Sequence, residues 1–404
     1  MIIVVGGGPS GMMAAIKASE KAEVALIEKN EKLGKKLFIT GKGRCNLCND
    51  CDDRFFFDAL HRNSAFMYSS YYTFSNETLK NFFEVRRVPL KVERGERVFP
   101  ISDKSSDIIR CLSRELKRSG VDVHLDTEVS TIRRHGEVFE VSTNRGIFRA
   151  EKVIVATGGV TYPATGSTGD GYTWAKSFGM RIVRPIAGLV GLRCDMRGME
   201  TLSGLSLKNV ELYAETERGV SSEFGEMLFT HYGISGPIVL SLSSRINRDD
   251  RVKLRIDLKP ALDREQLTRR ILREIDSNAN RELKTIVKTM VPRSLVSPIL
   301  DAAEIPEDLP GHQLSVEMRE RLIDVLKAFP IHYKGLFDES TGIVTTGGVD
   351  VDDIDPSTME SRTQKGLYLC GELIDVDGPT GGFNLQIAFS TGYLAGLSAA
   401  EEDI

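Results

Sequence analysis

Cysteine is scarce in this chain, with six among 404 residues. That scarcity argues against a fold stapled by disulfides and for a reducing, cytoplasmic setting. Long apolar runs are missing too. Met1 opens directly into Ile2-Ile3-Val4-Val5, and no stretch approaches the roughly 20 apolar residues of a membrane span, so a soluble chain without a secretory leader is expected. Charge of either sign is not in surplus. A formal net charge of −4 gives no global pull toward nucleic acid or anionic lipid, although a local patch can hide in it. Internal repeats and low-complexity tracts are absent, and 41% apolar with 27% charged residues excludes a disordered chain.

What is present begins with a βαβ pattern over the first 28 residues. Ile2 to Val5 read as a buried strand, Gly6-Gly7-Gly8-Pro9-Ser10-Gly11 as a turn, Met12 to Ala18 as an apolar helix and Val24 to Ile27 as a second strand closed by Glu28. The stretch from Phe55 to Arg118 predicts helices around a hairpin at Arg94-Gly95-Glu96. It is locally basic, with 11 Lys or Arg against 6 Asp or Glu between Lys80 and Arg118. Val121 to Leu125 reads as a further strand, Val129 to Arg149 as a three-stranded meander, and Val153 to Ala156 as a strand running into Thr157-Gly158-Gly159. From about Ile186 the texture changes. Val210 to Ala214 and Val252 to Asp257 suggest a small antiparallel barrel, and from Asp263 the period becomes helical, broken by Pro292, Pro298, Pro306 and Pro310. Near Thr341 the glycine-rich texture returns, with Val344 to Val349 and then Gly366 to Cys370, so the middle of the chain is an insertion. The expected boundaries are 1–187 and 343–404 for a nucleotide-binding domain, 188–262 and 329–342 for the barrel, and 263–328 for a helical subdomain.

Gly6-x-Gly8-x-x-Gly11 fits a dinucleotide fingerprint because each glycine has a mechanical task. Gly6 permits the turn, Gly8 lets backbone approach a pyrophosphate, and Gly11 lets the helix pack on the strand. The helix then offers N–H groups and partial positive charge to phosphates, and Glu28, 17 residues on, is placed to accept from a ribose diol. This fingerprint does not choose between FAD and NAD. The C-terminal pattern chooses FAD: Cys370-Gly371-Glu372-Leu373-Ile374-Asp375 ends a strand, and Gly381-Gly382-Phe383-Asn384-Leu385-Gln386 opens a helix whose N-terminus suits the pyrimidine edge of a flavin. Asp375 is placed for the ribityl chain. The spacing Cys45-x-x-Cys48-x-x-Cys51 resembles metal-ligand spacing, but a fourth ligand nearby is lacking except His61, and no metal is expected.

Between these ends, Lys36, Arg44 and Asn46 sit among small residues and can donate to phosphates or flavin. Gly43-Arg44-Cys45-Asn46, Ala156-Thr157-Gly158-Gly159, Tyr162-Pro163 with Thr165 to Gly171, Gly225 to His231 with Gly233 to Pro237, and the C-terminal glycine pair together resemble the bacterial flavoproteins called the aminoacetone oxidase or BaiN-like family. The resemblance spans essentially the whole chain. It implies an α/β fold: a two-dinucleotide-binding-type FAD domain, with a glutathione-reductase-like parallel sheet and β-meander, and an inserted antiparallel β-barrel carrying a small helical subdomain. It carries over Gly8, Ser10, Gly11, Glu28, Arg44, Gly158, Gly371, Asp375, Asn384, Leu385 and Gln386 as flavin contacts. The same loops extend the set to Gly6, Pro9, Lys29, Lys36, Thr40, Gly43, Asn46, Val129, Thr157, Glu372, Gly381 and Gly382. One departure is Cys48, where the family commonly has Thr.

The family's chemistries include reduction of steroid-like enones, reduction of uridine in ribosomal RNA, and oxidation of a small amine. Reduction of an activated C=C bond is the expected activity, with Cys45 or His231 as the catalytic acid–base group. A second Gly-x-Gly-x-x-Gly after a strand is missing, so NAD(P)H is expected as a transient reductant rather than the ligand of its own domain. The partners expected are an enone or rRNA, with the basic segment leaning toward RNA. The alternatives are a flavin amine oxidase and a non-catalytic flavin-binding module that contacts RNA or senses redox state.

Overall fold

The computed structural model describes residues 1–196, 198–249, 251–338 and 341–401. They form two compact units, Met1–Ala187 with Gly342–Ile404, and Gly188–Thr341.

The first unit is organised by a five-stranded parallel sheet in the spatial order Leu367–Leu369, Lys152–Val155, Ile2–Val5, Val24–Ile27, Asp122–His124. Val4 lies opposite Ile154 on one side and Leu26 on the other. Ile2–Val5 and Val24–Ile27 are buried at every position, and for that reason they are written as unbroken apolar runs rather than alternating ones. The Pro9–Ala18 helix starts with proline at its first turn, where the missing N–H costs nothing. Against it packs the long helix Phe383–Ala399. A Cβ on Gly392 or Gly396 would stand 2.3 Å from the carbonyl oxygens of Ser10 and Ala14, so these two glycines let the helix backbones approach.

The hairpin expected around Gly95 is present. Leu90–Glu93 pairs with Arg97–Pro100, and Cys48–Asn49 adds a third, antiparallel strand. The meander runs as Val129–His135, Val138–Thr143 and Gly146–Ala150.

The second unit is a closed six-stranded barrel in the order Leu192–Asp195, Gly233–Ser235, Gly219–Thr230, Ser206–Thr216, Lys253–Asp257, Phe329–Leu336. Its longest ladder shifts register between Leu207 and Val210, where Asn209 takes a left-handed backbone (φ 55°) that an asparagine tolerates. Among its helices, Arg264–Ser277 is closed by a capping box between Asp263 and Gln266, and Val316–Lys327 by Ser315. Leu267, Ile271, Leu322, Ile323 and Leu326 from these helices join Leu254, Ile256 and Phe329 of the barrel in one core. The architecture is the mixed α/β one that the sequence pattern implies: parallel sheet, meander, closed barrel and helices.

Candidate functional site

The parallel sheet gathers residues that are far apart in sequence. Gly6 follows the end of Ile2–Val5, Glu28 follows Val24–Ile27, Ala156-Thr157-Gly158 follows Lys152–Val155, and Cys370-Gly371-Glu372 follows Leu367–Leu369. Because the strands are parallel, all four segments emerge at the carboxyl edge, where open α/β sheets bind their ligands. The N–H of Gly6 donates to Ile27 (2.8 Å), that of Ala156 to Val5 (2.8 Å) and that of Cys370 to Val155 (3.1 Å), so the exit points are tied together.

In the N-terminal turn two glycines are forced by backbone. A Cβ on Gly6 (φ 109°) would stand 2.5 Å from the Ala156 carbonyl oxygen, and one on Gly11 would stand 1.9 Å from that of Gly6. Gly8 is different, because a Cβ there would meet nothing within 4 Å. Open space therefore faces the start of the Pro9–Ala18 helix, whose N-terminus carries neither a side-chain cap nor an acidic residue in its first turn. Glu28 accepts from the Gly7 N–H at 2.7 Å, the Asn30 N–H at 2.8 Å and the Asn30 side-chain amide at 2.6 Å, and a carboxylate with about four lone-pair sites keeps one of them for a ribose hydroxyl. Val129 opens the meander close behind, since the segment before it is tied in where the Thr127 N–H donates to the Glu28 carbonyl (3.0 Å).

The C-terminal turn is built another way. Gly382 (φ 104°) caps the Phe383–Ala399 helix, again without a side-chain cap or first-turn acid, and a Cβ there would stand 2.3 Å from the Cys48 carbonyl carbon. Side chains brace the loop before it. Asn384 accepts from the Gly378 N–H (3.0 Å) and donates to the Gly378 and Pro379 carbonyls (2.8 and 3.2 Å). Asn49 donates to the Gly381 carbonyl (3.1 Å). Asn46, with its amide oriented by its hydrogen bonds, accepts from the Gly382 N–H at 3.1 Å and donates to the Cys48 carbonyl at 3.2 Å. Gln386 turns away: its side chain is buried on Phe74 and Ser390, and its N–H is taken by the Gly382 carbonyl. Leu385 is only partly buried, on the rim of the core.

Several expected contacts are already engaged with protein. Lys36 Nζ lies 2.7 Å from Glu372 and 2.9 Å from Thr161, while Glu372 also accepts from the Thr345 N–H at 2.7 Å. Lys29 pairs with Asp170 at 2.6 Å. Arg44 lies over the Phe99 ring and bridges Glu93 and Asp103 on a partly exposed surface, and those two carboxylates hold its guanidinium charged. Thr40 caps its own helix through the Leu37 carbonyl, and its own carbonyl accepts from Cys45. Gly43 (φ 84°) has open space in front of it like Gly8, and Gly158 (φ 74°) approaches Ser167. Thr157 Oγ1 is buried without a partner among the described residues.

Cys45 is fully buried in a left-handed conformation (φ 62°), and burial pushes its thiol up to about 12 despite a hydrogen bond with Thr40. Burial likewise raises Cys48. Among the described residues no group of three His, Cys, Asp or Glu side chains is arranged for a metal, and no helix is long and apolar enough to cross a membrane. His231 is exposed in the turn between the barrel strands Gly219–Thr230 and Gly233–Ser235, so it belongs to the other unit.

Sequence reasoning missed the partners that hold the C-terminal turn. His61 Nδ1 lies 3.0 Å from Asp377 Oδ2 with both side chains buried, and Asn63 donates to the Asp375 carbonyl at 2.6 Å. No local spacing signals pairs 316 and 312 residues apart. Asp377-Gly378 reads as turn chemistry alone.

The chain is 32% identical to the 3-dehydro-bile acid delta(4,6)-reductase of Clostridium scindens over 98% of each chain. It is 30% identical to the ribosomal RNA dihydrouridine synthase of Escherichia coli, over 97% of this chain and 96% of that one. A solved structure of 3-ketosteroid-delta4-(5alpha)-dehydrogenase from Rhodococcus jostii RHA1 matches with a TM-score of 0.52 at 14% identity, over 99% of this chain and 96% of that one, which is a likeness of fold. The HI0933-like protein Rossmann domain matches residues 1–398, and with relatives this similar along the whole length the chain belongs to that family of FAD-dependent oxidoreductases.

Proposed function

We propose that this chain reduces an activated C=C bond of a small conjugated enone, with FAD held in the first unit and electrons supplied by NAD(P)H. The observation that carries the reading is the pair of helix N-termini, at Gly8 and Gly382, that lack side-chain caps within one unit. An uncapped N-terminus leaves N–H groups and partial positive charge for an anion or an electron-rich edge. The open space at Gly8 and Gly43 supplies room for a cofactor against backbone. Gly6 to Gly11 and Glu28 would hold the nucleotide end, and Asp375, Asn46 and the Gly381-Gly382 turn the flavin end. When bound, FAD supplies reversible hydride transfer.

This chain's own residues supply binding, orientation and a proton. A thiol pushed up to about 12 keeps its proton throughout the neutral range, so Cys45 is suited to donate a proton and not to attack as a thiolate. The enone is preferred to RNA because four of the 11 cations between Lys80 and Arg118 are held by carboxylates: Lys80 by Asp50, Arg86 by Glu115 at 2.9 Å, Lys91 by Asp103 at 2.8 Å and Arg110 by Asp107 at 3.1 Å. Cations committed to carboxylates are poorly available to phosphates. The second reading, reduction of a uridine in ribosomal RNA, draws on the relatives from Escherichia coli and Haemophilus influenzae that carry that name.

The test is anaerobic. Purified protein is expected to release FAD on denaturation and to be bleached by NAD(P)H, after which a 3-oxo-Δ4 steroid should reoxidise it faster than an rRNA fragment, a small amine or oxygen. A colourless preparation sinks the cofactor, and fastest reoxidation by the rRNA fragment moves the assignment to the second reading. Cys45→Ala should keep FAD and its reduction while slowing enone turnover by roughly 100-fold; unchanged turnover would leave Cys45 as packing.

A further inference from the structure

The loop after the Asp53–Ala59 helix runs antiparallel to the segment that leads into the C-terminal turn, residue against residue. A Cβ on Gly378 would stand 2.9 Å from the Leu60 side chain. The His61 N–H donates to the Asp377 carbonyl at 2.9 Å, and His61 Nδ1 meets Asp377 Oδ2 at 3.0 Å. Arg62 Nε lies 3.7 Å from Asp377 Oδ1. Asn63 donates to the Asp375 carbonyl at 2.6 Å. This is not a surface contact, because the His61 and Asp377 side chains are 1% and 2% exposed.

We infer that His61-Arg62-Asn63 is a strap that positions the segment from Asp375 to Gly382, and that the buried His61–Asp377 pair is its anchor. The inference rests on FAD being the cofactor of this unit. His61 and Asp377 act through the turn and are positioning residues. The physical case is that a loop with glycines at 378, 381 and 382 has little stiffness of its own. Its far end is fixed by Asn46 and Asn49 at Gly382 and Gly381, its middle by Asn384 at Gly378 and Pro379, and its near end by the Asp375 N–H donating to the Val349 carbonyl at 3.0 Å. Between Asp375 and Gly378 the strap is what holds it, through Asp377 and the Asp375 carbonyl, among the hydrogen bonds of the described residues. Asp377 also fixes the imidazole: a carboxylate at Nδ1 keeps the proton there, and Nε2 is buried without a partner among the described residues. The ring is thus spent on this one contact.

The consequence reaches the cofactor through the helix Phe383–Ala399. Its N-terminus favours negative charge on a reduced flavin, so a turn free to withdraw should bind FAD less tightly and favour the reduced form less.

The measurements are the FAD dissociation constant of the reconstituted apoprotein, the midpoint potential and visible spectrum of the holoprotein, and apoprotein stability. For His61→Ala we expect at least tenfold weaker FAD binding, a shifted flavin spectrum, and a midpoint potential lower by about 30 mV, the two-electron equivalent of a tenfold lost preference. His61→Asn, whose amide can donate to Asp377, should recover much of each. If His61→Ala does not fold, Asn63→Ala cuts the same strap at its edge and should move the same readouts less. Lower apoprotein stability with unchanged FAD affinity, potential and spectrum would overturn the strap and leave the function standing. Wild-type protein that binds no FAD would overturn both.

Discussion

The N-terminal and C-terminal glycine turns are held by different kinds of partner. At the N-terminal turn the close contacts of Gly6 and Gly11 are backbone on backbone, with the Glu28 carboxylate on the Gly7 N–H as the side-chain contact. Gly6 lies on Ala156 and Gly11 on Gly6, within a few residues of regular strand and helix. At the C-terminal turn Gly382 also lies on backbone, that of Cys48, but the loop before it hangs on the side chains of Asn46, Asn49, His61, Asn63 and Asn384. The first turn is rigid because the sheet is; the second is rigid only while its side-chain partners are present.

Substitutions at the glycines test that difference. Gly11→Ala puts a methyl 1.9 Å from a carbonyl oxygen of the sheet's own turn and should lower stability by about 3 kcal/mol, read as a urea midpoint shift in apoprotein. A change of a few tenths would show the N-terminal turn to be as adaptable as its counterpart. Gly382→Ala meets both a left-handed φ and the Cys48 backbone, for roughly 2 kcal/mol, and it should also lower the FAD content of purified protein. Normal stoichiometry would remove the flavin from that turn. Alkaline titration should treat the two ends alike. Cys370 beside Ser10 and Cys45 near the C-terminal turn are both pushed up to about 12 by burial, whereas an unfolded thiol ionises near 8.5 to 9. Above that value the unfolded chain holds fewer protons than the folded one, so the contribution present at neutral pH falls as pH rises toward 12. Urea midpoints from pH 8 to 11 should decline, with a shallower slope in either Cys45→Ala or Cys370→Ala; equal slopes in wild type and variants would assign the decline to other groups. Gly8→Ala should have the smallest effect on folding, within about 0.5 kcal/mol, since its Cβ would enter open space. It should nonetheless weaken FAD binding roughly tenfold, and unaltered affinity would mean that the space at Gly8 is not the cofactor's.

This contrast explains what was legible in the sequence. Gly6 to Gly11 and Glu28 could be read because their partners lie in one βαβ unit, where spacing along the chain maps directly onto space. The barrel was legible from alternation, although the Ser206–Thr216 strand runs longer than Val210 to Ala214 because a bulge at Asn209 interrupts the period. Gln386 shows the limit of reading a helix start by position. The first turn was recognisable, but which side chain turns inward depends on Phe74, over 300 residues away. Arg44 shows another limit: a cation in a small-residue loop looks available to a phosphate, and Glu93 and Asp103, brought up by a hairpin, take it instead. His61 and Asp377 carried no signal, because an isolated histidine and a turn aspartate are each ordinary until the fold joins them.

The close crossing of Pro9–Ala18 and Phe383–Ala399, where Gly392 and Gly396 lie on the backbone of Ser10 and Ala14, has a consequence for synthesis. The first βαβ unit cannot cover that face of its helix until Phe383–Ala399 has been made, and the strand Leu367–Leu369 that completes the sheet edge arrives just before it. At ordinary elongation rates that is a wait of roughly 20 to 75 s, during which the inserted unit, complete in sequence by Thr341, can close its own barrel. Truncations that remove Phe383–Ala399 should therefore strand the nucleotide fold with the Ser10 and Ala14 face of its first helix uncovered, and chaperone dependence should track that interval more than chain length.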